Sequence, residues 1–185
     1  MKQIYLVTGN PNKLREWQGI LPPDIHMDTL DVDLPEIQSA DPVEIITDKA
    51  KRAYEATGKP VVVEDIEAGL DKLNGLPGPL IKFFMKQLGG DALYVLAGRE
   101  GERATVSCSI GYYDGSEMLI TQASVHGTIV APRGQDGFGF DFTFMPDGET
   151  ETYAQMGPDK KNELSHRKKA IELFVDKLRQ QIDQL

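Results

Sequence analysis

Residues 4–13, Ile-Tyr-Leu-Val-Thr-Gly-Asn-Pro-Asn-Lys, constrain this chain more than any other stretch. Ile4 to Val7 is an apolar run with the length of a buried strand. Thr8-Gly9 breaks it. Asn10 is a good helix N-cap, Pro11 suits the first helical position, and Leu14, Trp17 and Leu21 recur at helical spacing. The stretch reads as strand, tight turn, helix. Free N–H groups at that helix start, with Gly9 permitting close approach and Lys13 in the first turn, would suit a phosphate. An ordinary β–α turn uses the same residues, and the full Rossmann and Walker spacings are both missing.

A chain of 185 residues is long enough for one well-buried core and short for two, so residues 1–185 are expected to form a single domain. No apolar run approaches membrane-spanning length, and Met1-Lys2-Gln3 leads straight into a strand, not a signal peptide, so no membrane partner is expected. The single cysteine, Cys108, excludes an internal disulfide framework and fits a reducing, cytoplasmic compartment. It alternates with Ala104, Val106 and Ile110, which favours a core residue over a nucleophile. One cysteine and three scattered histidines do not make a zinc cluster. The formal net charge of −9 argues against a nucleic-acid partner, which would need a basic patch. An anionic small ligand remains open to it, provided that Lys or Arg, helix N-termini or a divalent cation stand locally against the phosphates.

Further along, Pro22-Pro23 ends the first helix and Ile25 to Leu30 forms a short strand. Asp31 to Ser39 is an acidic loop carrying Asp31, Asp33 and Glu36. Asp41-Pro42 starts a second helix, with Val43, Ile46, Ala50 and Ala53 as its buried stripe. Lys49 lies off that stripe, either a solvated lysine or a ligand contact. Val61-Val62-Val63 is uniformly apolar, as in a central strand covered on both faces, and it ends in Glu64-Asp65. Carboxylates at a buried strand end are costly unless solvated or paired, and in open α/β sheets that end faces the ligand crevice. Gly75-Leu76-Pro77-Gly78-Pro79 is a stiff turn that sets a helix with Ile81, Phe84, Met85 and Leu88 inward and Lys82 off that face. Asp91 to Leu96 reads as a short helix closed by Gly98.

Ala104 to Tyr113 and Met118 to Val130 alternate around Asp114-Gly115, a hairpin that makes the sheet mixed. In the loop 131–141, glycines flank aromatics, which leaves the Phe138 ring either exposed at a flexible edge or folded inward. Phe142 to Phe144 is another short strand. The last helix carries Ile171, Phe174, Leu178 and Ile182, and residues 180–185 are expected to fray. Ser165-His166 makes a poor nucleophile–base pair, because adjacent helical residues point about 100° apart.

Taken in order, Thr8-Gly9-Asn10-Pro11-Asn12-Lys13, Asp33-Leu34-Pro35-Glu36, Val63-Glu64-Asp65, Gly75-Leu76-Pro77-Gly78-Pro79, Phe138-Gly139-Phe140-Asp141 with Pro146-Asp147-Gly148, and Ser165-His166-Arg167 resemble the inosine triphosphate pyrophosphatase family. The GLPGP form is closer to the eukaryotic and archaeal branch. The resemblance implies an α/β fold: an elongated mixed β-sheet flanked by helices, with two lobes, a central cleft and usually a homodimer. It implies hydrolysis of deaminated purine nucleoside triphosphates (ITP, dITP, XTP) to the monophosphate and pyrophosphate. Thr8 to Lys13 and Lys49 would hold the triphosphate, and Lys82 would approach it. Glu36 and Asp65 would coordinate Mg²⁺, or Mn²⁺ in its place, with Glu64 beside them, so that Asp65, Lys13 and Glu64 form the catalytic set. Phe138 would stack on the base, within Phe138-Gly139-Phe140-Asp141. Asp141, Lys161, His166 and Arg167 would line the base edge.

Two departures from the family pattern stand out. Ile66 takes the substrate-binding position after Glu-Asp where many members have Thr or Ser, so a hydroxyl contact is absent. Phe140-Asp141-Phe142 replaces a Trp-Asp-Pro, so the loop keeps its aromatic and loses its proline. Chemically, Lys13, Lys49, Lys82 and a divalent cation would neutralise the triphosphate locally. A 6-keto purine offers an acceptor to His166 or Arg167, where adenine offers a donor that leaves them unpaired. The rival readings are a related nucleotide pyrophosphatase of different base preference, a non-catalytic purine-nucleotide-binding module and a structural partner protein, the last of which leaves the placement of carboxylates and lysines unexplained.

Overall fold

The computed structural model describes residues 3–182. The expectations for Met1-Lys2 and for the chain beyond Ile182 lie outside them. Within them a seven-stranded mixed sheet runs in the order β2-β1-β3-β5-β6-β7, with β4 paired to β3. The strands are β1 (Ile4–Val7), β2 (Met27–Leu30), β3 (Val61–Leu70), β4 (Pro77–Gly78), β5 (Arg103–Tyr113), β6 (Met118–Ile129) and β7 (Phe144–Pro146). The helices are α1 (Pro11–Ile20), α2 (Pro42–Thr57), α3 (Ile81–Leu88), α4 (Ala92–Ala97), α5 (Tyr153–Leu164) and α6 (His166–Ile182). No helix of the described residues is long and apolar enough to cross a membrane.

The chain divides into two compact units. The first holds the stretch ending at Asp65, Cys108–Ala123 and the stretch beginning at Arg167. The second holds Ile66–Ser107 and Ser124–His166. The long strands β3, β5 and β6 each run without a break from one unit into the other.

In the first unit β1 lies parallel to both β2 and β3, with Leu6 opposite Thr29 and Val62. Its core packs Val7, Ile46, Ala50, Ala53, Val61 and Val63, with Leu30, Val32 and Leu34 against them. The stripe on α2 keeps Ile46, Ala50 and Ala53 but takes Ile45 in place of Val43, which is 49% exposed. Val43 sits in the first helical turn, where its N–H takes the Asp41 cap at 2.8 Å. Cys108 is fully buried, as its alternation suggests, and burial pushes its thiol well above the usual range.

β3 corrects the expectation that the strand ends at Glu64-Asp65. It continues to Leu70, pairing Ala68 with Gly78 and Gly69 with Pro77. A Cβ on Gly69 would stand 1.8 Å from the Gly75 carbonyl oxygen, so this close approach of the 75–79 turn demands glycine.

The second unit packs Ala68, Leu70, Ile81, Leu93, Val106, Ile129, Phe140, Phe144 and Tyr153 into its own core. Leu88, placed inward by its spacing, is 43% exposed, at the last position of α3 before the Gly89 cap. Gly139–Phe142 forms a 3₁₀ turn, and β7 starts only at Phe144. α5 is an element the hydrophobic pattern does not reveal: Gly157, at φ 73°, and Pro158 break it internally. Ser165 is an extended joint between α5 and α6, not a residue of the last helix.

Candidate active site

The parallel register of β1 and β3 places the C-terminal end of β1 beside the middle of β3, at Glu64. Two residues past Leu6 comes Thr8, and two past its partner Val62 comes Glu64. β2 ends beside them, and the Thr8 N–H donates to the Leu30 carbonyl at 3.0 Å. Such strand ends are where open α/β sheets bind ligands. Here Thr8, Gly9, Asn10, Lys13, Glu36, Lys49 and Glu64 line one cavity of about 350 Å³. A Cβ on Gly9 would come within 2.7 Å of Asp31 Oδ1, so the Asp31 side chain rests directly against the turn.

The Thr8–Lys13 turn corrects one expectation. The Asn10 side chain accepts from the Asn12 N–H at 2.9 Å and the Lys13 N–H at 3.4 Å, and the Asn10 N–H donates to Thr8 Oγ1 at 3.1 Å. Pro11 has no N–H. The helix start is therefore capped from within, and the positive charge of the cavity rests on side chains.

Glu64 is the buried anion of the site, 3% exposed. Arg167 donates to it through Nε to Oε2 and Nη2 to Oε1, both at 2.8 Å. The Trp17 indole N–H donates to Oε2 at 2.7 Å, and Lys13 Nζ lies 3.2 Å from Oε1. Burial alone would raise the Glu64 pKa; the charges of Arg167 and Lys13 and the hydrogen bonds from Arg167 and Trp17 outweigh it and hold the carboxyl well below the usual range. Arg167 also donates through Nη1 to Glu16. Burial opposes its charge, but Glu64 and Glu16 together push its pKa well up. Glu16 and Trp17 are the residues sequence reasoning missed. With Lys13 they occupy one face of α1 at i, i+3 and i+4, which is the signal that could have singled them out.

Lys49 is not a solvated lysine. Its side chain is 13% exposed, and its ammonium lies 2.6 Å from Glu36 Oε1, 3.0 Å from the Glu64 carbonyl oxygen and 3.9 Å from Asp65 Oδ1. Burial lowers its pKa, against the pull of Asp65 and Glu64. Two carboxylates and a carbonyl around one positive centre are the donor types a hard divalent cation takes. Among the described residues no three Asp, Glu, His or Cys side chains cluster as a ready-made metal cage.

In the second unit, Asp141 and Lys161 form a pair at 2.6 Å, with side chains 3% and 5% exposed. Asp141 Oδ2 also accepts the Phe138 N–H at 3.0 Å, and Lys161 Nζ stands 4.5 Å from the centre of the half-buried Phe138 ring. Phe140 and Tyr153 each place a ring 5.8 Å from the buried His166. Phe138, Asp141, Lys161 and His166 are thus one local group. Lys82 is exposed on α3, with its ammonium 5.1 Å from the Phe83 ring. Ile66 packs against the second unit's apolar core. Arg167, expected at a base edge, instead turns its guanidinium onto Glu64 and Glu16 in the first unit.

Fold and site together define an α/β protein with an acid–base cradle at parallel strand ends. The profile of the Ham1 family matches residues 4–177, and the chain belongs to that family. The inosine triphosphate pyrophosphatase of Yarrowia lipolytica is 43% identical over 173 residues, 91% of this chain and 92% of that protein. The protein of that name from Schizosaccharomyces pombe is 37% identical over 170 residues, covering 90% of each. Among solved structures, a HAM1 protein from Coxiella burnetii superposes with a TM-score of 0.81 at 28% identity, covering 97% of this chain and all of that one. The Staphylococcus aureus Ham1 protein gives 0.80 at 26% identity, with the same coverage.

Proposed function

We propose that this chain hydrolyses deaminated purine nucleoside triphosphates, ITP, dITP and XTP, to the monophosphate and pyrophosphate. The observation that carries the proposal is the first-unit cavity, where Lys13 and Lys49 stand among Glu36 and Glu64, with Asp65 Oδ1 3.9 Å from the Lys49 ammonium. An acidic chain that gathers two ammonium groups at parallel strand ends is equipped for a polyphosphate. The relatives named inosine triphosphate pyrophosphatase, matched along nearly the whole chain, supply the substrate class. We read residues 1–185 as one catalytic domain, since β3, β5 and β6 belong to both units.

In this reading the Thr8–Lys13 turn, with Gly9, Asn10, Pro11 and Asn12, and Lys49 hold the phosphates, and Lys82 approaches them. Asp65 orients the attacking water, whose oxygen bonds to the α-phosphorus and whose proton passes through Asp65 to solvent; the α-phosphorus bond to the bridging oxygen breaks, and Lys13 and Lys49 stabilise the charge on the departing pyrophosphate. Glu64 keeps Lys13 in place and is itself kept by Arg167 and Trp17. Glu36 and Asp65 would hold Mg²⁺, or Mn²⁺, which when bound supplies Lewis-acid neutralisation of the phosphates. Phe138, with Gly139 and Phe140, stacks on the purine. Asp141, Lys161 and His166 read its edge, and the fork of Arg167 onto Glu64 supports a positioning role for this residue in place of the base-edge role that the family resemblance implies. A cytoplasmic homodimer belongs to the same proposal, supported by the family resemblance and, for the compartment, by the lone buried Cys108 thiol.

Ile66, with no hydroxyl to offer, favours a second reading, a non-catalytic nucleotide binder. A panel of nucleoside triphosphates with pyrophosphate detection, with and without Mg²⁺, separates the two. Turnover of ITP, dITP and XTP about a hundredfold or more above ATP is expected. Equal turnover of ATP overturns the proposed specificity, and stabilisation by ITP without pyrophosphate release establishes the binder.

A further inference from the structure

The Lys49 ammonium already occupies a cation's place. It lies 2.6 Å from Glu36 Oε1, 3.0 Å from the Glu64 carbonyl oxygen and 3.9 Å from Asp65 Oδ1. These include both carboxylates read above as ligands of the divalent cation, so this inference rests on that reading. An ammonium and a divalent cation repel each other at such range, and the hydrogen bond to Glu36 occupies one of the two oxygens that this carboxylate can offer a cation. Lys49 is also a wall of the same cavity as Lys13, on a flexible four-carbon stem, so a polyphosphate there has a direct pull on it.

From this geometry we infer that Lys49 is an exchangeable counter-ion that couples cation loading to polyphosphate loading. With no polyphosphate, Lys49 neutralises Glu36 and Asp65 and keeps divalent cations out. The incoming polyphosphate draws the ammonium off Glu36, and the freed carboxylates then take the cation. One lysine therefore serves two anions in succession, the protein's and the substrate's. The consequence is cooperative binding: the cation and the polyphosphate each strengthen the other's affinity, by linkage through one side chain. A permanent Lys49–Glu36 ion pair, fixed in every state, would show no such coupling.

Mn²⁺ is the probe, measured by isothermal titration on the full-length chain without nucleotide. Lys49→Met and Lys49→Gln keep most of the stem and remove the charge; circular dichroism checks that each folds. Both are expected to bind Mn²⁺ at least about tenfold more tightly than the unmodified chain. Adding Glu36→Gln to either variant is expected to abolish that gain. The unmodified chain gives an independent arm. Its enhancement of water-proton relaxation by Mn²⁺ is expected to appear only when inorganic pyrophosphate is also present. Mn²⁺ affinity that is unchanged or weaker in both Lys49 variants overturns the exchange, as does equally tight Mn²⁺ binding with and without pyrophosphate. If ITP is still hydrolysed in a metal-dependent way, that result leaves the proposed activity standing. If Glu36→Gln changes neither Mn²⁺ binding nor turnover, the ligand assignment fails, and the exchange with it.

Discussion

Arg167 and Glu64 meet as two planar groups across a double hydrogen bond, both contacts at 2.8 Å, with both side chains 2% exposed. They come from α6 and β3, 103 residues apart in the chain. Trp17 and Lys13 from α1 close on the same carboxylate, and Glu16 takes a further donor of Arg167. Three elements of the first unit therefore share one buried ionic centre. A bidentate pair of this kind is favourable only while both partners are present; removing one leaves a charge in a low-dielectric interior. Arg167→Ala is accordingly expected to destabilise the protein by about 3–5 kcal/mol. Urea denaturation checks it: a midpoint close to that of the unmodified chain would mean that Glu64 finds water or another cation when Arg167 is gone.

The same centre sets an acid limit. The folded-state pKa of Glu64 lies below its unfolded value, near 4.5. The ionised carboxylate therefore stabilises the fold fully above about pH 4.5, and that contribution drains away as pH falls below it toward the folded value. Glu64→Gln has no such proton to gain. The stability gap between the unmodified chain and Glu64→Gln should be largest near pH 6 and should shrink steadily from pH 4.5 downward, read from urea unfolding at a series of pH values. A gap that stays constant down to pH 3 would show that Glu64 takes up its proton equally in the folded and unfolded chain, so that its folded pKa is not lowered.

The parts of this architecture that local chemistry announces were legible in advance. Asn10-Pro11 and Asp41-Pro42 cap and start α1 and α2, Asp114-Gly115 turns the β5–β6 hairpin, and Gly98 closes α4, all through signals spanning a few residues. What stayed hidden depends on distant partners. β3 runs on through Glu64-Asp65 because Arg167, Trp17, Lys13 and Lys49 meet those carboxylates there, and none of these is a neighbour in sequence. α5 escapes the periodic pattern because Gly157-Pro158 interrupts it. In the site, the residue types were readable at Lys13, Glu36, Lys49 and Asp65, whereas direction was not: Arg167 faces inward to Glu64, and Glu16 looks like an ordinary surface glutamate until that guanidinium is seen.

The second unit's local group carries the last prediction. Asp141 pins the backbone of Phe138 by accepting its N–H, and the Lys161 ammonium is seated both on Asp141 and over the Phe138 ring. The ring is therefore oriented by a buried ion pair without being buried itself. A face held this way suits stacking on a purine, worth about 1–3 kcal/mol per base when the aromatic is truncated. Phe138→Ala removes the ring and leaves the Asp141–Lys161 pair in place, so the loss should fall on the base alone. The KM for ITP is expected to rise about tenfold, with inhibition by inorganic pyrophosphate unchanged. Inorganic pyrophosphate has no ring to stack, which makes it the control for the phosphate end. Equal weakening of ITP and pyrophosphate would mean that Phe138 supports the whole site's structure and does not recognise the base.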